Sequence, residues 1–104
     1  MKEAQKLQII QQNMHNLMHQ RQQFHAKLDE IENALMELRS TDSGYKIIGN
    51  IMVSAKSSDL IKELEENRDL VKKRMESIEK QEAKLKEEMT KTQESLMKNV
   101  QDDK

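Results

Sequence analysis

Apolar residues recur at alternating steps of three and four from Leu7 to Leu38: Leu7, Ile10, Met14, Leu17, Arg21, Phe24, Leu28, Ile31, Leu35 and Leu38, with Arg21 as the one polar member. Sustained a/d spacing of this kind belongs to a coiled-coil helix more than to a globular amphipathic one. It predicts a helix over about residues 3–39, roughly 55 Å long at about 1.5 Å per residue. The turn formers Ser40 to Gly44 stop it. A second seam runs Ile61, Leu64, Arg68, Val71, Met75, Ile78, Glu82, Leu85, Met89, Thr92 and Leu96, and it is the weaker of the two. Ser57, Ser58 and Asp59 are candidates to cap that second helix, expected over about residues 58–101.

Between the seams the period changes. Residues 45–54 hold the only dense run of β-branched side chains, interrupted at Gly49 and Asn50. Two apolar runs around a Gly-Asn pair read as a β-hairpin. Glycine as the first central residue suits a type II′ turn, where φ is positive. A turn at that place pairs Ile48 with Ile51, Ile47 with Met52 and Lys46 with Val53. Ile48, Ile51 and Val53 then share one face, and Tyr45, Ile47 and Met52 the other. Both faces are apolar. A lone two-stranded ribbon is marginal in water and has two unpaired edges, and nothing else in the chain reads as a strand to complete a sheet. The missing strands are expected from other chains, which makes Tyr45, Ile47, Ile48, Gly49, Asn50, Ile51, Met52 and Val53 assembly residues.

If the hairpin turns the chain back, the seams register as antiparallel layers: Leu38 with Ile61, Leu35 with Leu64, Leu28 with Val71, Phe24 with Met75, Met14 with Leu85 and Ile10 with Met89. Arg21 and Glu82 fall in adjacent layers. They either pair, which would help to fix the register, or reach water separately. Towards the helix ends away from the hairpin, apolar residues also appear off the seam: Ile9 and Met18 in helix 1, Met97 and Val100 in helix 2. These are either scattered surface hydrophobics or an adaptable, methionine-containing contact surface.

Composition narrows the function classes. Of the 104 residues, 35% are hydrophobic and 36% charged, with no proline and two glycines, which fits long helices and not a thick-cored globule. Phe24 and Tyr45 are the only aromatics, and the net charge is −1. A base-stacking surface and an electrostatic pull towards nucleic acid or anionic membrane are both disfavoured. Without cysteine there is no disulfide framework, thiolate metal site or Cys nucleophile. No apolar run approaches the roughly 18 residues of a membrane span, and no signal-peptide pattern opens the chain, so a soluble, cytoplasmic protein is expected.

Candidate chemistry adds little. His15 and His19 are four apart on a helix, a metal-compatible spacing, but lie off the seam without an evident third ligand. Gly44 and Gly49 imitate the opening of a phosphate-binding loop, yet Asn50 and Ile51 stand where Lys and Ser or Thr are required. The Glu and Lys residues from Glu82 to Glu88 form a solvated helical face. No Ser, His and Asp are placed to activate a nucleophile. Neither an enzyme nor a cofactor site is expected.

Two coiled-coil helices around one hairpin, with Tyr45, Lys46, Gly49 and Val53 in the pattern Y-K-x-x-G-x-x-x-V, resemble the β-type subunits of the prefoldin family. The Gln-rich first helix (Gln5, Gln8, Gln11, Gln12, Gln20, Gln22 and Gln23) and the charged stretch Glu79 to Glu82 extend the resemblance to nearly the whole chain. There is room for one hairpin only, where α-type subunits carry two. The resemblance implies a single prefoldin-like domain over residues 1–104, mainly α, an antiparallel two-helix coiled coil whose hairpin completes a β-barrel with other subunits. It implies a hexamer of two α-type and four β-type subunits. It further implies an ATP-independent holdase that captures non-native proteins with its coiled-coil tips and passes them to a group II chaperonin. Carried onto this chain, the client-binding tip residues are Leu7, Ile9, Ile10, Met14, Met89, Leu96, Met97 and Val100. The competing class is a structural coiled-coil tether or adaptor that dimerises helix to helix, with the Ile-rich stretch as a linker. Gly49 and Asn50 speak against it, because a flexible linker needs no turn flanked by apolar strands.

Overall fold

The computed structural model describes residues 2–102, with side chains through Lys98. Helix α1 (Lys2–Arg39) leads into strand β1 (Ser43–Ile48), strand β2 (Ile51–Lys56) and helix α2 (Ser57–Asp102). Both helices are built from Leu, Met, Gln, Glu and Lys, which lose little rotamer freedom in a helix, and neither contains Pro or Gly. The described chain divides into two compact units, one of residues 24–74 and one that joins residues 1–23 to 75–104.

In the unit that carries the hairpin, α1 ends as the Ser40 and Thr41 N–H groups donate to the Glu37 and Leu38 carbonyls, tightening the last turn. Strands β1 and β2 pair antiparallel from Ser43 with Lys56 to Ile48 with Ile51, and the pairs expected at Lys46 with Val53 and Ile47 with Met52 both form. Gly49 has φ 61° and among the described residues no non-glycine has positive φ, which is the signature of a type II′ turn. The ladder runs further than the apolar pattern suggested, to Ser43 and Lys56. Ser57 explains its closure. The Ser57 N–H donates to the Asp42 carbonyl, and the Ser57 hydroxyl donates to the Thr41 carbonyl, so this buried serine ties the base of the hairpin. Asp59 stays in the first turn of α2, where its charge complements the helix dipole.

Beneath the hairpin, α1 and α2 run antiparallel. Ile31, Leu35 and Val71 form a buried cluster against which Phe24, Leu28, Ile61 and Leu64 pack, so Leu35 with Leu64 and Leu28 with Val71 meet in one core. Arg68, a polar member of the α2 seam, reaches outwards so that its Nη1 donates to Glu32 at 3.3 Å. Leu35 is the one fully buried large side chain among the described residues. Leu35→Ala should therefore lower stability by about 2–5 kcal/mol, read as a drop in the urea midpoint, and half-buried Leu28→Ala should cost less.

In the second unit α1 and α2 are again antiparallel, tied by Arg21 to Glu82 and by the Ser95 hydroxyl donating to Glu3 at 3.3 Å. Arg21 Nε lies 3.0 Å from Glu82 Oε1, yet the N–H is not aimed at the oxygen. The contact is an ion pair without a hydrogen bond, so its value lies in selecting register more than in net stability. Thr92 is buried on the seam because its hydroxyl donates to the Glu88 carbonyl at 2.8 Å. Every seam position of both helices is buried or half-buried, the polar ones included.

Candidate functional site: the assembly hairpin and the helix ends

Alternation along the strands places Gly44, Lys46, Ile48, Ile51, Val53 and Ala55 on one face of the ribbon and Tyr45, Ile47 and Met52 on the other. The first face meets the helices only near its base. A Cβ on Gly44 would lie 2.9 Å from Leu60 Cδ1 and 3.0 Å from Leu38 Cδ2, so this glycine permits close approach of strand to helix. One step nearer the turn on that face, Lys46 Nζ reaches Glu63 Oε1 of α2 at 2.6 Å. Past that level none of the described residues covers the ribbon. Tyr45, Ile47, Ile48, Ile51, Met52 and Val53 are all between 42% and 71% exposed. A soluble monomer rarely leaves so dense an apolar patch in water.

The assembly residues proposed by sequence thus come together on one ribbon, six of them as exposed apolar side chains and Gly49 and Asn50 as its turn. Four participants were not evident in the pattern. Leu60 is buried although it is off the seam, because Gly44 rests on it. Gly44 serves packing, not a turn. Lys46 and Glu63 pair across 17 residues of sequence, a separation at which two charged residues leave no periodic signal.

At the helix ends the eight tip residues divide. Ile9 (59%) and Met97 (66%) are exposed, Leu7, Met14, Met89 and Leu96 are half-buried on the seam, and Ile10 at 3% is core. The Val100 side chain lies outside the described residues. Met14, Met18 and Met89 line a shallow groove of about 310 Å³ together with Gln11, His15 and Glu82. Unbranched thioethers on such a groove can reshape to many apolar partners. Met36 and Leu70, in the hairpin unit, are also exposed and belong to neither surface; single exposed apolar residues are ordinary. Among the described residues no helix is long and apolar enough to cross a membrane.

Comparison with known proteins gives the same architecture. The chain matches the family model for prefoldin subunits over residues 1–103. It is 40% identical over 93 residues to the prefoldin subunit beta of Archaeoglobus fulgidus, covering 86% of this chain and 80% of that one. It is 30% identical over 98 residues to the prefoldin subunit beta of Methanospirillum hungatei, covering 91% and 82%. The crystal structure of the prefoldin beta subunit from Thermococcus strain KS-1 superimposes with a TM-score of 0.88 at 26% identity, over 94% of this chain and 89% of that one. With two long helices, a single hairpin between them and relatives named for the beta subunit, the chain belongs to the prefoldin family as a β-type subunit, and its role is that of a prefoldin chaperone subunit.

Proposed function

We propose that residues 1–104 act as one prefoldin-like domain in a cytoplasmic hexamer of two α-type and four β-type chains. This hexamer holds non-native proteins without ATP and passes them to a group II chaperonin. The observation that carries the reading is the hairpin: a two-stranded ribbon with six large apolar side chains in water and two open edges. Strands of other subunits would satisfy both deficits at once, pairing the edges and burying the side chains at about 25 cal/mol per Å² of apolar surface. Tyr45, Ile47, Ile48, Gly49, Asn50, Ile51, Met52 and Val53 are the residues of that contact.

Clients are held by Leu7, Ile9, Met14, Met89, Leu96, Met97 and Val100. Ile9 and Met97 offer surface directly, and the groove lined by Met14 and Met89 supplies an adaptable floor. Ile10 supports these from the core. Each such contact is weak and unselective, and several chains engaging one client at once would raise avidity by orders of magnitude. The role requires binding and release only, so no catalytic group or cofactor takes part. The test is light scattering of a chemically denatured client diluted into buffer without ATP. The chain mixed with an archaeal α-type subunit should suppress aggregation at near-stoichiometric amounts, and the chain alone should do so poorly. Equal protection by both would remove the hexamer from the proposal.

A further inference from the structure

The hairpin is fastened to the helices at two heights, and the second fastening has a job of its own. At the base, Gly44 lies against Leu38 and Leu60, and Ser57 ties the strand ends to Thr41 and Asp42. Just beyond, close packing stops. A cavity of about 440 Å³ opens between β1 and the two helices, lined by Tyr45 and Lys46 on one side and by Ala34, Leu38, Leu60 and Leu64 on the other. Across an opening of that size the ribbon packs loosely, so few apolar contacts fix its tilt. Among the described residues, the one tie beyond the base is Lys46 Nζ to Glu63 Oε1, at 2.6 Å.

We propose that the Lys46–Glu63 pair is a strut that sets the tilt of the hairpin and so prepares it for assembly, with little part in holding the chain folded. The proposal rests on the assembly reading above. The pair is solvent-exposed, with side chains 41% and 54% accessible, and exposed pairs bias a local equilibrium by only about two- to fivefold. That is too little to unfold a helix pair with its own core. Assembly amplifies it, because each chain must hold its ribbon at the docking angle and the losses multiply when four copies enter one particle. A bias of two- to fivefold per copy compounds to about 15- to 600-fold in the hexamer equilibrium.

A charge-reversal cycle tests this: Lys46→Glu, Glu63→Lys and the double exchange, each mixed with the α-type subunit and followed by native mass spectrometry across a dilution series. Each single variant should keep the wild-type circular dichroism and urea midpoint within error, yet need about two- to fourfold higher concentration to half-assemble, because the midpoint of a six-chain equilibrium moves only as about the fifth root of its constant. The double exchange should restore most of the loss, since the swapped charges can rebuild the strut. Single variants that assemble like wild type would overturn the proposal. So would a double exchange no better than either single, which would assign the two charges to contacts with neighbouring chains. Wild-type chain that forms no mixed particle would instead defeat the assembly reading itself, so the two failures are told apart by the control.

Discussion

Gly49→Val should abolish mixed assembly while leaving the helical circular dichroism nearly unchanged. Gly49 sits at φ 61° with nothing within 4 Å of where a Cβ would stand, so the penalty comes from the backbone alone. A β-branched residue held at positive φ costs about 1–2 kcal/mol or more, which a marginal two-stranded ribbon cannot absorb. Gly49→Asn, a residue commoner at positive φ, should be affected less. Ile48→Asp reaches the same end by another route. In the chain alone Ile48 is 56% exposed, so the carboxylate stays in water and folding is untouched. In an assembled barrel it would be an unpaired buried charge, at several kcal/mol per copy. The account therefore expects Ile48→Asp to match wild type in urea melts and to give no hexamer by size-exclusion chromatography with light scattering. A hexamer of normal stability from Ile48→Asp would mean that this face is not part of the contact.

The second large effect is expected at the helix ends. Ile9→Ser combined with Met97→Ser removes two exposed apolar side chains without opening a hole in the seam. Surface changes of this kind usually move stability by no more than about 0.5 kcal/mol. Assembly should be normal, since neither residue belongs to the unit that carries the hairpin. Protection of a denatured client should nonetheless fall several-fold, because small losses at each chain multiply when several chains grip one client. Deleting residues 1–10 and 96–104 together should remove protection more completely. That deletion also takes away Ile10, which is core, so the paired serine substitutions are the cleaner probe. Full protection by the serine variant would remove Ile9 and Met97 from the client surface and leave the groove of Met14, Met18 and Met89 to carry it.

Much of this was legible because two periodicities meet in one chain. The alternation of threes and fours marked both seams, including Arg21, Glu82 and Thr92, and all of those positions are covered in the fold. Spacing put Arg21 and Glu82 in adjacent layers and left open whether they pair, which they do, whereas nothing in the spacing reveals that Thr92 bonds its own helix. The strand register followed from Gly49 and Asn50, since turn type fixes which residues face each other. What could not be read was the docking of the ribbon onto the helices. It depends on the absent side chain of Gly44, on Leu60 one position off the seam, and on Lys46 finding Glu63. None of these has a local signature, because each gains its meaning only when β1 is laid against α2. Ser57 is a similar case: as a cap candidate it was plausible, but its hydroxyl turns back to the Thr41 carbonyl. At the helix ends, spacing puts Ile10 on the seam and Ile9 off it, and burial follows that division; joining the two as one contact surface came from the family resemblance and not from the spacing.

The central claim is that the hairpin is completed by other subunits, and native mass spectrometry of the chain with and without an archaeal α-type prefoldin subunit tests it most directly. The account predicts no defined helix-paired dimer from the chain alone. In the mixture it predicts a particle whose mass corresponds to two α-type and four β-type chains, and which disappears with Ile48→Asp. A stable homodimer that persists unchanged in the mixture, with no particle containing both chains, would contradict it and identify a coiled-coil tether instead.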